Sequence, residues 1–284
     1  MSKIPSVDEI DRFIADLIAE DSADHDITSI SVFDNNIKCN AVIESRDYGV
    51  LCGVDFAEMV FRQIDSTIVI SKVIEDGTEI FEGDVVLDLK GNVNTILAGE
   101  RIALNLLQHL SGISTLTAQF VESVKSTDAV IMDTRKTIPG LRKIQKYAVK
   151  MGGGHNHRMN LADGVLIKDN HIKFSEINGL SISDVVNKAR SKVGKSVKIE
   201  IEVDDLDQFR KVIDVRPDII LLDNMDVETM EMAVKINEGR AILEASGGVK
   251  INNVKSIAET GVDLISVGAL THSVNALDMS LTIL

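Results

Sequence analysis

Arg101, Arg135, Lys136, His157, Arg158 and Lys168 are the side chains in this sequence best suited to gripping a multiply charged anion. Arginine offers a planar fork that meets carboxylate or phosphate at two points, and lysine supplies a compact charge. The chain around them carries 44 acidic against 30 basic residues, so its overall field repels anions. A group of cations at strand ends and glycine turns therefore points to one specific polyanionic ligand. Taken singly, each could equally pair with a surface carboxylate, as most surface charges do. Their common placement is what argues for a shared site.

Carboxylates and glycines fill out the constellation. Glu202 and Asp223 each close an apolar run. A carboxylate there can hold a ribose diol, bind Mg2+ through oxygen, or stabilise positive charge growing at a sugar carbon. A helix-capping role suits the same positions. Ser246-Gly247-Gly248 and Val267-Gly268-Ala269 follow the last two candidate strands. That is the usual phosphate-binding place in a barrel, and a plain tight turn is the alternative. Gly152-Gly153-Gly154 runs into His155-Asn156-His157-Arg158; its amides could approach an anion, or the triplet could end a helix. His155 and His157 lack a cysteine or carboxylate at matching spacing, which argues against structural zinc. Asp204-Asp205 looks superficially like the diphosphate-sugar motif of purine-type phosphoribosyltransferases. A helix-like DLDQFRKVID follows in place of a Thr/Gly-rich loop, so one of the two reads as a helix cap.

The elements that must position these residues can be read from periodicity. Ile10, Phe13, Ile14, Leu17 and Ile18 form one helical stripe, with Ser6 and Glu9 at capping-box spacing. Between Ile37 and Val93 short β-prone runs alternate with glycine turns around a helix-like VDFAEMVFRQI, as in an α+β domain of about 100 residues. A long helix follows from about Ala98 to Val124, with Gly112 marking a break or a close approach. Candidate strands then come at 129–133, 163–167, 197–203, 218–223, 241–246 and 263–268. The helix-like stretches DVVNKARSKV, DLDQFRKVID, VETMEMAVKI and NVKSIAET lie between the later ones, the rhythm of a parallel sheet. Strand counting alone allows a closed barrel or an open sheet. Polar clusters at every strand end favour the barrel, whose strand ends converge on one face.

Composition removes several function classes. The acidic balance argues against general nucleic-acid or anionic-membrane binding. No apolar run is long enough to span a bilayer, and the opening MSKIPSVDEIDRF lacks a signal-peptide core. Two cysteines, Cys39 and Cys52, suggest reduced thiols in a cytoplasmic protein.

Three runs together resemble a known family. They are ERIALNLLQHLSGIST (100–115), DTRKTIPGLRKIQKYAV (133–149) and GGGHNHRMNLADGVLIKDNHI (152–172). With IEIEVDDLDQ, DIILLDNM, LEASGGV and LISVGALTHS in the same order, nearly the whole chain is similar to the quinolinate phosphoribosyltransferases, the carboxylating nicotinate-nucleotide pyrophosphorylases. Asn160 departs from the pattern, since the family usually carries glycine there.

The resemblance implies an N-terminal α+β sandwich domain (1–112) and an open or incomplete α/β barrel (113–270). A C-terminal segment (271–284) would return to the first domain. It implies quinolinate and phosphoribosyl diphosphate as substrates, Mg2+, and a homodimer in which each site borrows Arg101 from the other copy. Arg135, His157, Arg158 and Lys168 match contacts to the quinolinate carboxylates, with Lys136 near both substrates and Thr134 among the substrate-binding residues. Glu202 and Asp223 match carboxylates near the ribose and metal, acting directly or through substrate or water. Ser246–Gly248 and Val267–Ala269 match phosphate turns. Three rivals compete: a molybdenum-associated paralogue, a lipoyl-like carrier built on the β-rich part, and a Schiff-base aldolase using Lys168. The retained NHR and LIKDNH segments disfavour the first, and DLKGN at Lys90 is a poor carrier tip.

Overall fold

The computed structural model describes residues 7–34 and 36–284 and sorts the chain into two compact units. The first holds residues up to 118, 138–153 and 273–284; the second holds 119–137 and 154–272. The expected capping box at Ser6 lies outside the described residues; the helix itself, α1, spans Val7–Glu20, and a short α2 (Ile27–Val32) follows it.

In the first unit, β1 (Lys38–Ser45), β3 (Val69–Lys72) and β5 (Val85–Asn92) join the last strand, β12 (Met279–Ile283). Together they make one antiparallel sheet, ordered β12-β1-β5-β3. A short pair, β2 (Gly49–Val50) and β4 (Glu79–Ile80), stands apart from it. Alternation along β1 turns Ala41 and Ile43 inward. There they share a core with Phe61 of α3 (Val54–Ile64), Leu87, Leu89 and Met279. The long helix α4 (Val93–Val124) adds Ile96, Ala103, Leu104 and Leu107, spaced to form one buried stripe.

Gly112 does not break α4, so the expected boundary at 112/113 falls inside a continuous helix. A Cβ there would lie 2.2 Å from the Asn275 carbonyl oxygen, so the glycine serves close approach. Residues 138–153 also sort with the first unit instead of the barrel. They carry α5 (Arg142–Met151), whose C-cap Gly152 would put a Cβ 2.3 Å from the Ser114 carbonyl.

The second unit carries six parallel strands. They are β6 (Val130–Met132), β7 (Val165–Ile167), β8 (Ile199–Val203), β9 (Ile219–Asp223), β10 (Ile242–Ser246) and β11 (Leu264–Ser266). Their order is β6-β11-β10-β9-β8-β7. The barrel is open: beyond β6 the ladder continues only as a bridge to His155, and no ladder joins this edge to β7 among the described residues. Every residue of β8 is buried, as expected for a parallel strand covered on both faces. Four full helices fill the gaps from β7 to β10: α6 (Asp169–Ile177) and α7 (Ile182–Val193) before β8, α8 (Leu206–Ile213) before β9 and α9 (Val227–Asn237) before β10. Two short ones follow, α10 (Val254–Glu259) and α11 (Ala269–His272). Asp205 caps α8 by accepting the Gln208 N–H at 2.7 Å, and Asp226 caps α9 through Thr229 at 2.8 Å. Caps just beyond the strands start the return helices at once and leave the strand ends free to carry chemistry.

Candidate active site

The strand ends of the second unit gather most of the expected residues. After β6, the fully buried Asp133 acts as a clasp. Its Oδ1 accepts the His157 backbone N–H at 2.8 Å, and its Oδ2 accepts the Asn156 amide at 2.7 Å. The segment with Thr134, Arg135 and Lys136 is thereby tied to the segment with His157 and Arg158. Thr134 Oγ1 accepts the Lys136 N–H at 2.9 Å, and the Lys136 carbonyl accepts the Thr271 hydroxyl at 2.7 Å. The turn after β11 thus braces the turn after β6.

Arg158 shows what these ties accomplish. Burial pushes its guanidinium pKa down and the like charge of Arg135 adds to this, while Glu200 and Asp163 oppose it. Its Nη1 donates to the Gly164 carbonyl at 3.3 Å, and its buried Nε has no hydrogen-bond partner. Two guanidiniums held close enough to destabilise each other, one with an unmet buried donor, are groups that an anion placed between them would relieve. Lys168, at the end of β7, donates to Glu202 Oε2 at 2.9 Å, which joins the ends of β7 and β8.

Asp223 ends β9 half-buried. Burial raises its carboxyl pKa and the like charge of Asp204 adds to the rise, whereas Lys136, Lys168 and a 2.7 Å bond from Asn224 pull it down. Asn224 sits at φ +54° and donates its N–H to the Ser246 carbonyl at 2.9 Å. That interlocks the turns after β9 and β10. Gly247 and Gly248 both have positive φ, and nothing lies within 4 Å of where a Gly248 Cβ would stand. At Gly268 a Cβ would lie 3.0 Å from His272 Nε2 and 3.1 Å from Lys136 Cδ, so glycine leaves room for both side chains over the turn.

Two expected features sit elsewhere. Arg101 belongs to the first unit, exposed on α4 with Glu100 at 4.0 Å. The glycine triplet ends α5: the Gly152 N–H caps it through the Ala148 carbonyl at 3.1 Å, and Gly153 takes φ +85°. Asn160 costs the fold nothing visible, since its φ is not positive and its Oδ1 accepts the Ala162 N–H at 2.9 Å.

Sequence reading missed His272 and a buried group inside the barrel. Glu200, Glu244 and Ser266 surround His157: Nε2 lies 3.1 Å from Glu200 Oε2 and 3.5 Å from Glu244 Oε1, which also accepts the Ser266 hydroxyl. The available signal was charge inside apolar strands. Alternation in IEIEV puts Glu200 and Glu202 on one face, and Glu244 interrupts ILEAS.

Burial, with the Glu200 charge beside it, pushes the Glu244 carboxyl up to about 7, against an ordinary 4.5, while the Ser266 hydroxyl and any charge on His157 pull the other way. A raised pKa means the folded chain holds this proton more tightly than the unfolded chain. Stability contributed here is therefore complete below pH 4.5 and lost as pH rises towards 7. Glu244→Gln should become more stable relative to the parent over that window, by roughly 3 kcal/mol. Denaturant unfolding at pH 5 and pH 8 reads the difference, and a pH-independent difference would contradict it.

Comparison with known proteins agrees with this geometry. Residues 26–111 match the quinolinate phosphoribosyl transferase N-terminal domain, and residues 113–282 match the C-terminal domain. The chain is 41% identical over 267 residues to a probable carboxylating nicotinate-nucleotide pyrophosphorylase of Methanocaldococcus jannaschii, covering 91% of each. A Bacillus subtilis protein of the same description is 37% identical, with 97% of this chain and 93% of that one covered. The solved nicotinate-nucleotide pyrophosphorylase of Francisella tularensis superposes with a TM-score of 0.93 at 40% identity, over 100% of this chain and 98% of that one. With both halves matched in order and the cationic strand ends in place, the chain belongs to the quinolinate phosphoribosyltransferase family.

Proposed function

We propose that this chain transfers the phosphoribosyl group of phosphoribosyl diphosphate to the ring nitrogen of quinolinate. The products are nicotinate mononucleotide, diphosphate and carbon dioxide, a step of NAD biosynthesis. The observation that carries this reading is the pairing of Arg135 with Arg158, half-buried beside one another at the strand ends that also bear Lys168. Two adjacent carboxylates on one ring are the kind of ligand that relieves such crowding.

Charge changes during the reaction give the remaining residues their roles. As diphosphate leaves, the sugar carbon becomes cationic and the pyridine nitrogen attacks it. Glu202 and Asp223, at neighbouring strand ends, face that growing charge as carboxylates. Lys136, which lowers the Asp223 pKa and shares the Gly268 turn with His272, supports the phosphate side. Thr134 and the turns Ser246-Gly247-Gly248 and Val267-Gly268-Ala269 receive phosphate oxygens through hydroxyl and amide groups. Once quaternised, the ring accepts the electron pair released when the carboxylate beside the nitrogen leaves as carbon dioxide. A proton then replaces it on carbon, and no general base is needed. His157 lines the same region, half-buried.

Glu202 and Asp223 also fit a magnesium ion held mainly by substrate oxygens. They offer oxygen ligands, but Lys168 already occupies one Glu202 oxygen, so an all-protein cage is not built. Such an ion would supply charge neutralisation at the diphosphate, and the raised Asp223 pKa is the signature of a carboxylate that gains from a nearby cation. A homodimer with Arg101 reaching the other copy's site completes the cation set, consistent with the exposure of Arg101 on α4. Unpaired Cys39 and Cys52 suit a cytoplasmic setting, and no described helix is long and apolar enough to cross a membrane.

Incubation with quinolinate, phosphoribosyl diphosphate and Mg2+ should yield one mononucleotide and one carbon dioxide per diphosphate released. Chromatography with carbon dioxide trapping from ring-carboxyl-labelled quinolinate measures all three. Folded protein that forms no mononucleotide would refute the substrate assignment.

A further inference from the structure

Beneath the cationic strand ends, two buried carboxylates meet one imidazole. Glu244 is fully buried and Glu200 nearly so, and with His157 they offer ligand atoms all within 4.8 Å of one another. Such a trio invites reading as a metal centre. The other face of the ring decides against it. His157 Nδ1 lies 2.8 Å from the Arg158 backbone nitrogen, whose N–H donates to it. Nδ1 must therefore present a lone pair, and the ring proton must sit on Nε2, pointing at the carboxylates. A metal-binding imidazole has the opposite pattern: it gives one nitrogen to the metal and donates N–H from the other. The same geometry denies His157 the second proton of an imidazolium, since that proton would face a donor.

With a neutral ring between them, two ionised carboxylates would repel, and the Arg158 charge that is felt here acts on Glu200. Glu200 is the better placed acceptor for the Nε2 proton, at 3.1 Å. Glu244 takes the Ser266 hydroxyl on Oε1, while its buried Oε2 has no hydrogen-bond partner. An orphan oxygen is far costlier on a carboxylate than on a carboxylic acid.

We propose that Glu244 is a positioning residue: as the neutral acid it leaves Glu200 to take the Nε2 proton, which fixes His157 as the uncharged tautomer whose Nδ1 anchors Arg158. On this view His157 acts on the substrate through Arg158. Both its ring nitrogens are engaged within the protein, and the substrate's carboxylates fall to the guanidiniums and Lys168. The proposal rests on the anion-binding reading of Arg158 given above and names what holds its backbone in place.

The tautomer can be read without turnover. In protein labelled with 15N-histidine, the signal lost in His157→Gln should show a protonated Nε2 and a bare Nδ1 near neutral pH. It should do so in the parent and in Glu244→Gln, whose amide oxygen can still accept from Ser266. A doubly protonated ring, or a proton on Nδ1, would overturn the proposal. So would binding of one equivalent of Zn2+ or Mn2+ that is lost in His157→Gln. In kinetics, Glu244→Ala should raise the quinolinate KM about tenfold with a smaller change in kcat and in the phosphoribosyl diphosphate KM, and Glu244→Gln should restore it. Equal damage from both variants would count against a neutral acid. If Glu244→Ala does not fold, the glutamine variant and the spectrum still decide. Because the spectrum needs no product, a failed assay with quinolinate would sink the substrate reading alone.

Discussion

Arg158→Ala is expected to lower kcat/KM for quinolinate by roughly a hundred- to a thousandfold, chiefly through KM. Hydrogen bonds to charged groups contribute about 1.5–3 kcal/mol each, and a guanidinium can make two to one carboxylate. Every 1.4 kcal/mol is about a factor of ten. Arg158→Lys should recover only a small part, since an ammonium keeps the charge without the fork. The same alanine variant should be no less stable than the parent. It removes a buried unmet Nε and the repulsion between Arg158 and Arg135. Loss of binding without loss of stability separates a site residue from a packing residue. Steady-state kinetics and denaturant unfolding on one preparation test both halves, and an unchanged quinolinate KM would remove Arg158 from the site.

Mixing two inactive variants should create activity. If each site combines its own Lys136 with the other copy's Arg101, a heterodimer of Arg101→Ala and Lys136→Ala contains one intact site and one doubly damaged site. Random exchange makes half the dimers heterodimers, so turnover should reach about a quarter of the parent value. Activity should grow with the time course of subunit exchange. Proven exchange with no recovery would place Arg101 in its own chain's site or in none.

Several parts of this arrangement were readable from sequence because they depend on local physics. The six barrel strands are apolar runs ending in polar or glycine residues, and all six form where expected. Asp205 as a helix cap follows from one side chain and the amide three residues on. Two of the overlooked helices explain the limits. In α5 the buried face includes Gln145 and Lys146 beside Ile144, Ala148 and Val149, so its apolar stripe is broken by polar residues. In α6 Ile172 is buried while Phe174 and Ile177 are exposed, so hydrophobicity marks the wrong face. The His157–Glu200–Glu244 group was invisible for a different reason. Metal-site and catalytic spacings are judged along the chain, and these residues meet only once β8 and β10 lie in one sheet. Gly112 shows the same limit, since what it signals is close approach to Asn275, a partner far along the chain.

The pairing of β12 with β1 has a consequence for synthesis. Until residues 279–283 leave the ribosome, β1 is an outer strand with one row of backbone groups unmet, and its sheet lacks the Met279 side chain in the core. All six strands of the parallel sheet have emerged before then. The order of completion is thus the reverse of the order of the sequence: the part begun first is closed last, and for that interval an unfinished edge is open to pairing with another nascent chain.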